Sequence, residues 1–277
     1  MGGSDSWAAD IELMAHRMRQ RILDMSLRCE GPTHLGGGLS IVEIMACLYG
    51  RVMNFRPTEP TWPDRDRFIL SKGHGVLGLY TALAEAGIID EETFRTFKVD
   101  DSALIAHPVM NLDLGIESSN GSLGQGLSLA VGLAWAACRK GKTHSIYVLL
   151  GDGECNEGSV WEAAMSASQF GLDNIVAVVD NNGFQSDGST EDIITSTTLA
   201  EKWRGFGWFV REVDGHDVRA LLEALTSDRP KRIPTCIVAK TVKGKGIDFM
   251  ENNNEWHHNR LTQATYDKAI ESLGKVQ

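Results

Sequence analysis

Apolar positions along this chain fall into two alternating rhythms. Between residues 7 and 29, Ile11, Met14, Met18, Ile22 and Met25 recur at steps of three and four, the mark of an amphipathic helix. "GPTHLGGGLS" follows and predicts a break, because a proline and a run of glycines continue a helix only at a cost. Ser40 then stands as the cap of a helix over 41–51, with Glu43 as its capping-box partner. A short apolar strand is predicted over 67–70, ending in the polar turn "SKGHG", and a helix over 75–87. After a second glycine-rich loop, "GIESSNGSLGQG", residues 127–139 are small or apolar almost all round. That pattern predicts a helix buried on several sides.

From residue 145 the alternation becomes regular. Strands are predicted over 145–150, 175–180, 208–213 and 236–241, and helices over 160–170, 199–204 and 218–226. A long loop separates residue 181 from about residue 198, and a closing helix is predicted over 262–274. "IYVLL" and "IVAVV" are unbroken apolar runs, as expected of parallel strands covered on both faces by helices. The expected fold class is α/β: a doubly wound, mostly parallel sheet with helices on both faces. No repeat, low-complexity tract or Pro/Ser-rich linker interrupts the sequence, so residues 1–277 are expected to form a single domain.

Composition narrows the function classes. With 277 residues, 42% of them hydrophobic, the chain can bury a core of that size. A formal charge of -10, with basic clusters only at 17–21 and 240–245, argues against a nucleic-acid partner. Cys29, Cys47, Cys138, Cys155 and Cys236 lie far apart with no Cys-x-x-Cys pair, which suggests neither a zinc site nor a disulfide framework. Reduced thiols fit a cytoplasmic protein. The start, "MGGSDSWAADIE", is polar and acidic where a signal peptide needs a basic start and an apolar run, and no stretch approaches a membrane span. The expectation is a cytoplasmic protein without a membrane partner.

Two turns carry the candidate chemistry. The strand at 145–150 runs into Gly151, Asp152 and Gly153, and the strand at 175–180 into Asn181, Asn182 and Gly183. Ligands of parallel sheets sit outside the carboxyl ends of the strands. Residues 154–180 suffice for one helix and one strand, so the two turns can flank one ligand. Asp152 offers a carboxylate oxygen and Asn182 an amide oxygen, a pair suited to magnesium bridging to phosphates. Gly151 and Gly153 let backbone N–H groups approach a phosphate at the start of the following helix. The reading is a metal-bridged diphosphate. For either turn alone, the alternative is a helix cap at Asp152 and a surface turn at the asparagines.

This Gly-Asp-Gly followed by Asn-Asn resembles the thiamine diphosphate motif. The resemblance extends over about residues 14–258, where "GPTHLGGGLS", "DRFILSKGHG", "AHPVMNLDLGIESSNGSLGQGLSLAVGLA", "GDGECNEG" and "KTVKGKGIDFMENNNEWH" follow in the order of the N-terminal half of transketolases. No Walker A loop or dinucleotide fingerprint competes. The resemblance implies a thiamine diphosphate-binding domain of the PP type, with Asp152, the Asn182 side chain and the backbone carbonyl of Phe184 on magnesium (Mg2+). It places His74, Gly153 and Asn182 at the diphosphate, and Gly121, Ser122 and Leu123 along the aminopyrimidine. It also implies His34, His107 and His257 around the reacting carbons of the sugar, where imidazole has the pKa to move protons near neutrality. His258 stands beside His257 and can take the same position. Each histidine alone reads more readily as a hydrogen-bonder in its loop; four in separate loops that match one pattern do not. Glu157 and Glu162 match acidic residues of a network at the family's subunit interface. His16, His144 and His216 read as ordinary histidines, and 243–246 as a flexible basic loop. Trp161 and Trp203 are candidates for a subunit contact.

The family continues, past the last residue of this sequence, into a pyrimidine-binding domain whose glutamate activates the cofactor. The expectation is therefore the diphosphate-binding subunit of a two-subunit transketolase, joined to a separately encoded C-terminal subunit in an α2β2 heterotetramer. It would transfer a two-carbon ketol unit from a phosphorylated or otherwise anionic ketose to an aldose. The alternatives are a subunit of the 2-oxo acid dehydrogenase α or deoxyxylulose phosphate synthase type, and a non-catalytic cofactor-binding regulator. His34, His74 and His107 together argue against the first.

Overall fold

Side chains that alternate along five parallel strands sort into two cores, one on each face of a single sheet. The protein is described by a computed structural model that covers residues 3–194 and 198–275. Its strands are β1 (Pro32–Thr33), β2 (Arg67–Leu70), β3 (Ile146–Gly151), β4 (Ile175–Asn181), β5 (Phe209–Asp214), β6 (Thr235–Lys240) and β7 (Asn259–Arg260). Strands β2 to β6 form the sheet in the order β2-β3-β4-β6-β5, every neighbouring pair parallel. β1 and β7 make a small antiparallel pair outside it. The helices are α1 (Gly3–Arg28), α2 (Leu35–Leu39), α3 (Val42–Cys47), α4 (Val76–Glu85), α5 (Glu91–Phe94), α6 (Gln125–Arg139), α7 (Gly158–Phe170), α8 (Thr190–Ile193), α9 (Leu199–Gly205), α10 (Val218–Thr226) and α11 (Gln263–Lys275). Among the described residues, no helix is long and apolar enough to cross a membrane.

Phe68, Leu70, Tyr147, Leu149, Val176, Val178, Ile237 and Ala239 face one core, shared with α1, α3, α4 and α10. Ile69, Val148, Leu150, Ala177, Val179 and Val238 face the other, under α6, α7 and α9. This is the doubly wound α/β arrangement that the continuous apolar strands predict, with the period of two deciding which side chain goes to which face. On α1, Met18 and Ile22 are fully buried, a burial worth ~1.5–3 kcal/mol for each such side chain.

Several local expectations are corrected. The glycine run does not break the chain out of helix: Leu35–Leu39 is itself helical. A Cβ on Gly37 would stand 3.0 Å from His74 Cδ2, and one on Gly38 would stand 2.9 Å from Leu77 Cβ. Close backbone approach offsets the poor helix propensity of glycine. Second, Ser40 does not open α3 but closes α2, as its C-cap with the backbone N–H on the Gly36 carbonyl at 3.2 Å. Ile41 occupies the N-cap of α3 without a side-chain bond, and the Ser40 hydroxyl donates instead to Asp180 Oδ2 at 2.7 Å. A buried carboxylate needs donors more than a helix start needs a cap. Glu43, expected to complete the cap, pairs with Arg19 and His216, and the helix expected over 41–51 ends in a π-turn at Leu48–Val52. Third, α6 is not covered all round: Leu129 and Trp135 are 41% and 49% exposed. The segment expected as one loop over 181–198 contains α8, and its residues 195–197 lie outside the described residues.

Register brings the strand ends together. Leu70 sits opposite Leu149, Gly151 opposite Asp180, and Asn181 opposite Lys240. Ser71, Asp152, Asn182 and Thr241 therefore leave the sheet along one edge.

Candidate active site

The floor of that edge is a buried carboxylate with four partners. Asp180, at the end of β4, has no exposed surface and accepts from the Lys72 ammonium, the Ser40 hydroxyl, the Thr241 hydroxyl and Asn182 Nδ2, the last at 2.8 Å. Burial alone would raise its carboxyl, but Lys72 and the hydroxyl donors hold it below its ordinary value. With Nδ2 committed to Asp180, the Asn182 amide turns Oδ1 the other way, where it accepts from the Phe184 N–H at 3.0 Å.

Asp152 stands beside this floor. Its Oδ1 accepts from Gly153 N–H at 2.8 Å and its Oδ2 from Gly183 N–H at 2.6 Å, so one side chain joins the two glycine-rich turns. Burial, and then the nearby Asp180, push its carboxyl up to about 6. It is a carboxylate short of positive charge. Glu154 knits the same edge from below: it accepts from Ser71 Oγ at 2.5 Å, Gly124 N–H at 2.8 Å and Gly151 N–H at 3.1 Å.

Above the floor lies a cavity of about 420 Å3 whose wall includes Asp152, Gly153, Asn182, Phe184, His74, Leu123 and His257. Seven of the residues singled out in the sequence thus surround one space. Gly121 and Ser122 lie in an adjoining recess of about 440 Å3 together with His107. Glu157 reaches the main cavity wall, whereas Glu162 is exposed on α7.

Histidines from separate loops converge at the mouth. The His34 ring lies 5.6 Å from those of His74 and His107, 5.5 Å from that of His257 and 4.4 Å from that of His258. Burial, followed by the charges of the neighbouring histidines, holds His34 down to about 3. His257 is held down to about 4 by burial and Lys243, and His74 and His107 are depressed as well, chiefly by burial. His34, His74, His107 and His257 are therefore neutral near pH 7. Of the adjacent pair, His257 lines the cavity and His258 is the more exposed. His257 Nδ1 lies 2.8 Å from Lys243 Nζ; accepting from the ammonium leaves the ring proton on Nε2, a donor.

Sequence reasoning missed Lys243. Read as part of a flexible basic loop, it is 1% exposed and lines the cavity. Its ammonium donates to Asn254 Oδ1 at 2.7 Å and to the Gln185 carbonyl at 3.3 Å. Burial, then Lys72, lower it to about 8. Lys72 and Asp180 were missed too. Their signal was positional: a lysine and an aspartate that end parallel strands face the same crevice as the motif residues. Trp203, on α9, is fully buried, and Trp161 is half-buried against it with the rings 5.3 Å apart.

Comparison with known proteins agrees with this geometry. A family model described as transketolase, thiamine diphosphate binding domain, matches residues 12–276. One subunit of the apulose-4-phosphate transketolase of Actinobacillus succinogenes is 43% identical over 264 residues, covering 95% of this chain and 96% of that protein. A 6-deoxy-6-sulfo-D-fructose transketolase subunit, SqwG, of Clostridium sp. is 40% identical over 267 residues, covering 96% and 97%. The solved transketolase of Campylobacter jejuni superposes with a TM-score of 0.88 at 29% identity; the match takes in 95% of this chain and 42% of that one. Full-length relatives therefore carry more than this chain contains, while the two subunits match it almost end to end. The doubly wound sheet, the two joined turns and these matches lead to one conclusion: the chain belongs to the transketolase family, as its thiamine diphosphate-binding domain.

Proposed function

We propose that this chain is the cofactor-binding subunit of a two-subunit transketolase in the cytoplasm, moving a two-carbon ketol unit from an anionic ketose to an aldose. Residues 1–277 would form one domain, and a separately encoded subunit would supply the pyrimidine-binding and C-terminal domains in an α2β2 assembly. The observation that carries this reading is the single cavity that gathers Asp152, Asn182, Lys243, His74 and His257, with His34 beside both histidine rings.

The cavity fits magnesium and a diphosphate. The protein donors on offer are one carboxylate oxygen (Asp152), one amide oxygen (Asn182) and the Phe184 carbonyl, hard oxygens that leave room for phosphate and water. Among the described residues no three His, Cys, Asp or Glu side chains gather to hold a metal by themselves. A cation arriving with a diphosphate would complete the set and relieve the charge deficit at Asp152. Gly153 brings its backbone close, and Lys243 and His74 face the same negative charge. Gly121, Ser122 and Leu123 would lie along the aminopyrimidine. Once bound, thiamine diphosphate supplies a nucleophilic ring carbon and an electron sink.

The chain's own residues handle the sugar. His34 and His107, held neutral, can accept hydrogen bonds from sugar hydroxyls, and His257 offers its Nε2–H to a sugar oxygen. The substrate class follows the relatives named above, whose donors carry a phosphate or a sulfonate; the groups that grip that tail belong to the partner.

An apolar face supports the partner. Leu129, Trp135, Met165 and Phe170, on α6 and α7, are each 41–52% exposed, and the Trp135 and Phe170 rings stack at 5.8 Å. Such a patch is covered in an assembly more often than left in water. Glu162 lies on the same helix pair, where an interface network would place it.

The test is ketol transfer from xylulose 5-phosphate to ribose 5-phosphate with thiamine diphosphate and Mg2+, using the chain alone and then with a candidate C-terminal transketolase subunit from the same organism. Activity in the mixture alone is expected. Turnover by the chain alone would remove the partner requirement, and absence of cofactor binding by the mixture would remove the reading. Cofactor binding without turnover would assign the site a ketose with a different anionic tail.

A further inference from the structure

Val242 and Lys245 lie on either side of Lys243, and one largely buried chain of side chains holds both of their backbones from behind the cavity. The Val242 N–H donates to His216 Nε2 at 2.8 Å. Because that nitrogen accepts, the proton of the neutral ring sits on Nδ1, 2.9 Å from Glu43 Oε2. The other Glu43 oxygen receives Arg19 Nη2, and Arg19 Nε donates to the Lys245 carbonyl at 3.1 Å. The circuit leaves the loop at Val242 and returns to it at Lys245. Its members come from three places: Arg19 from α1, Glu43 from α3 and His216 from the turn between β5 and α10. Arg19 and Glu43 are buried.

The loop is shaped to meet this circuit. Gly244 has φ +80 and its N–H bonds the Gly36 carbonyl at 3.1 Å. Gly246 has φ +93, and a Cβ there would stand 2.8 Å from Arg19 Cδ. On the outer side, Lys245 pairs with Glu251 at 3.4 Å.

Lys243 needs such an anchor. Its ammonium is buried near a second ammonium, Lys72, and its hydrogen-bond partners are all neutral: Gln185, Asn254 and His257. Left to itself, a flexible and strongly hydrated lysine gains by swinging into water. We propose that His216 is a positioning residue: with Glu43 and Arg19 it sets the backbone of 242–245 and so keeps the Lys243 ammonium in the cofactor cavity. This rests on the reading of that cavity as the diphosphate site. What the loop needs is the acceptor at the Nε2 position, which holds the Val242 N–H.

That requirement gives the test. In His216→Gln the side-chain amide reaches the position of Nε2 and can still accept from Val242. In His216→Asn it reaches only the position of Nδ1, keeps Glu43 and loses Val242. The full chain, without cofactor, is followed by hydrogen exchange over residues 240–246 and by acetylation of Lys243, both read by mass spectrometry. Loss of the buried backbone bond is expected to raise both rates about tenfold in the Asn variant, with the Gln variant near the parent. Arg19→Lys, which removes the grip on the Lys245 carbonyl, should open the same segment and serves if the Asn variant does not fold. Parent-like protection in the folded Asn and Lys variants, or equal opening in Asn and Gln, overturns the proposal. Neither readout needs the cofactor, so failure of the diphosphate reading and failure of the positioning role are told apart.

Discussion

Lys72 and Asp180 meet as an ion pair with side chains 1% and 0% exposed, directly beneath the turn that carries Asn182. Removing one charge strands the other in the interior. Lys72→Met or Asp180→Asn should each cost ~3–5 kcal/mol, because an unpaired buried charge is far worse than a missing pair. The double variant Lys72→Met with Asp180→Asn should recover part of the loss. Urea midpoints for the three proteins decide it: single variants as stable as the parent would mean that the pair does not hold the floor.

Asp152→Asn separates binding from stability. The carboxylate is strained by burial and by Asp180, which is why it is pushed up to about 6. Without metal, Asn relieves that charge but turns its amide N–H2 towards the N–H of Gly153 or Gly183, so the melting temperature at neutral pH should fall only modestly. The shift in melting temperature produced by thiamine diphosphate with Mg2+ in the assembled protein should vanish. A variant that still responds to the cofactor would take Asp152 off the metal.

Glu154 accepts three hydrogen bonds and donates none. In Glu154→Gln an amide N–H2 must face one of these donors, leaving a buried group unsatisfied at a cost of ~1–3 kcal/mol. Glu154→Asp keeps the charge but withdraws it, and should loosen Gly124 and Gly151 together. Thermal unfolding measures the first effect, and amide exchange at Gly124 and Gly151 the second.

The histidine cluster makes the protein acid-sensitive. His34 and His257 are held at about 3 and about 4 in the folded chain, whereas unfolded histidine titrates near ~6.5. Between those values the unfolded chain binds more protons. Stability is therefore full above about pH 6.5 and falls as the pH drops towards 4. Denaturation curves between about pH 7.5 and 5 should show this slope, and His34→Asn should flatten it. A slope unchanged in His34→Asn would mean that this ring is not held neutral.

The helices and strands were readable because their signals are local. Ile11 to Met25 mark one helix face, and "IYVLL" and "IVAVV" mark strands buried on both sides, whatever surrounds them. Asp152 and Asn182 were readable because turn chemistry at a strand end is also local, and His74 only through the family resemblance. Errors fell where distant residues intervene: the glycines of Leu35–Leu39 stay helical because His74 and Leu77 press against them, and Ser40 abandons its cap for Asp180.

By itself, then, the sequence determined the sheet, its two covered faces and the pair of glycine-rich turns, since periods of two and of about 3.6 dictate which side chains are buried. Tertiary structure alone decided that Lys243 is buried and held, that His257 rather than His258 lines the cavity, and that His216 belongs to a network behind it. Those outcomes depend on register and on loops more than a hundred residues apart, where hydrogen-bond partners are chosen by burial and not by spacing along the chain.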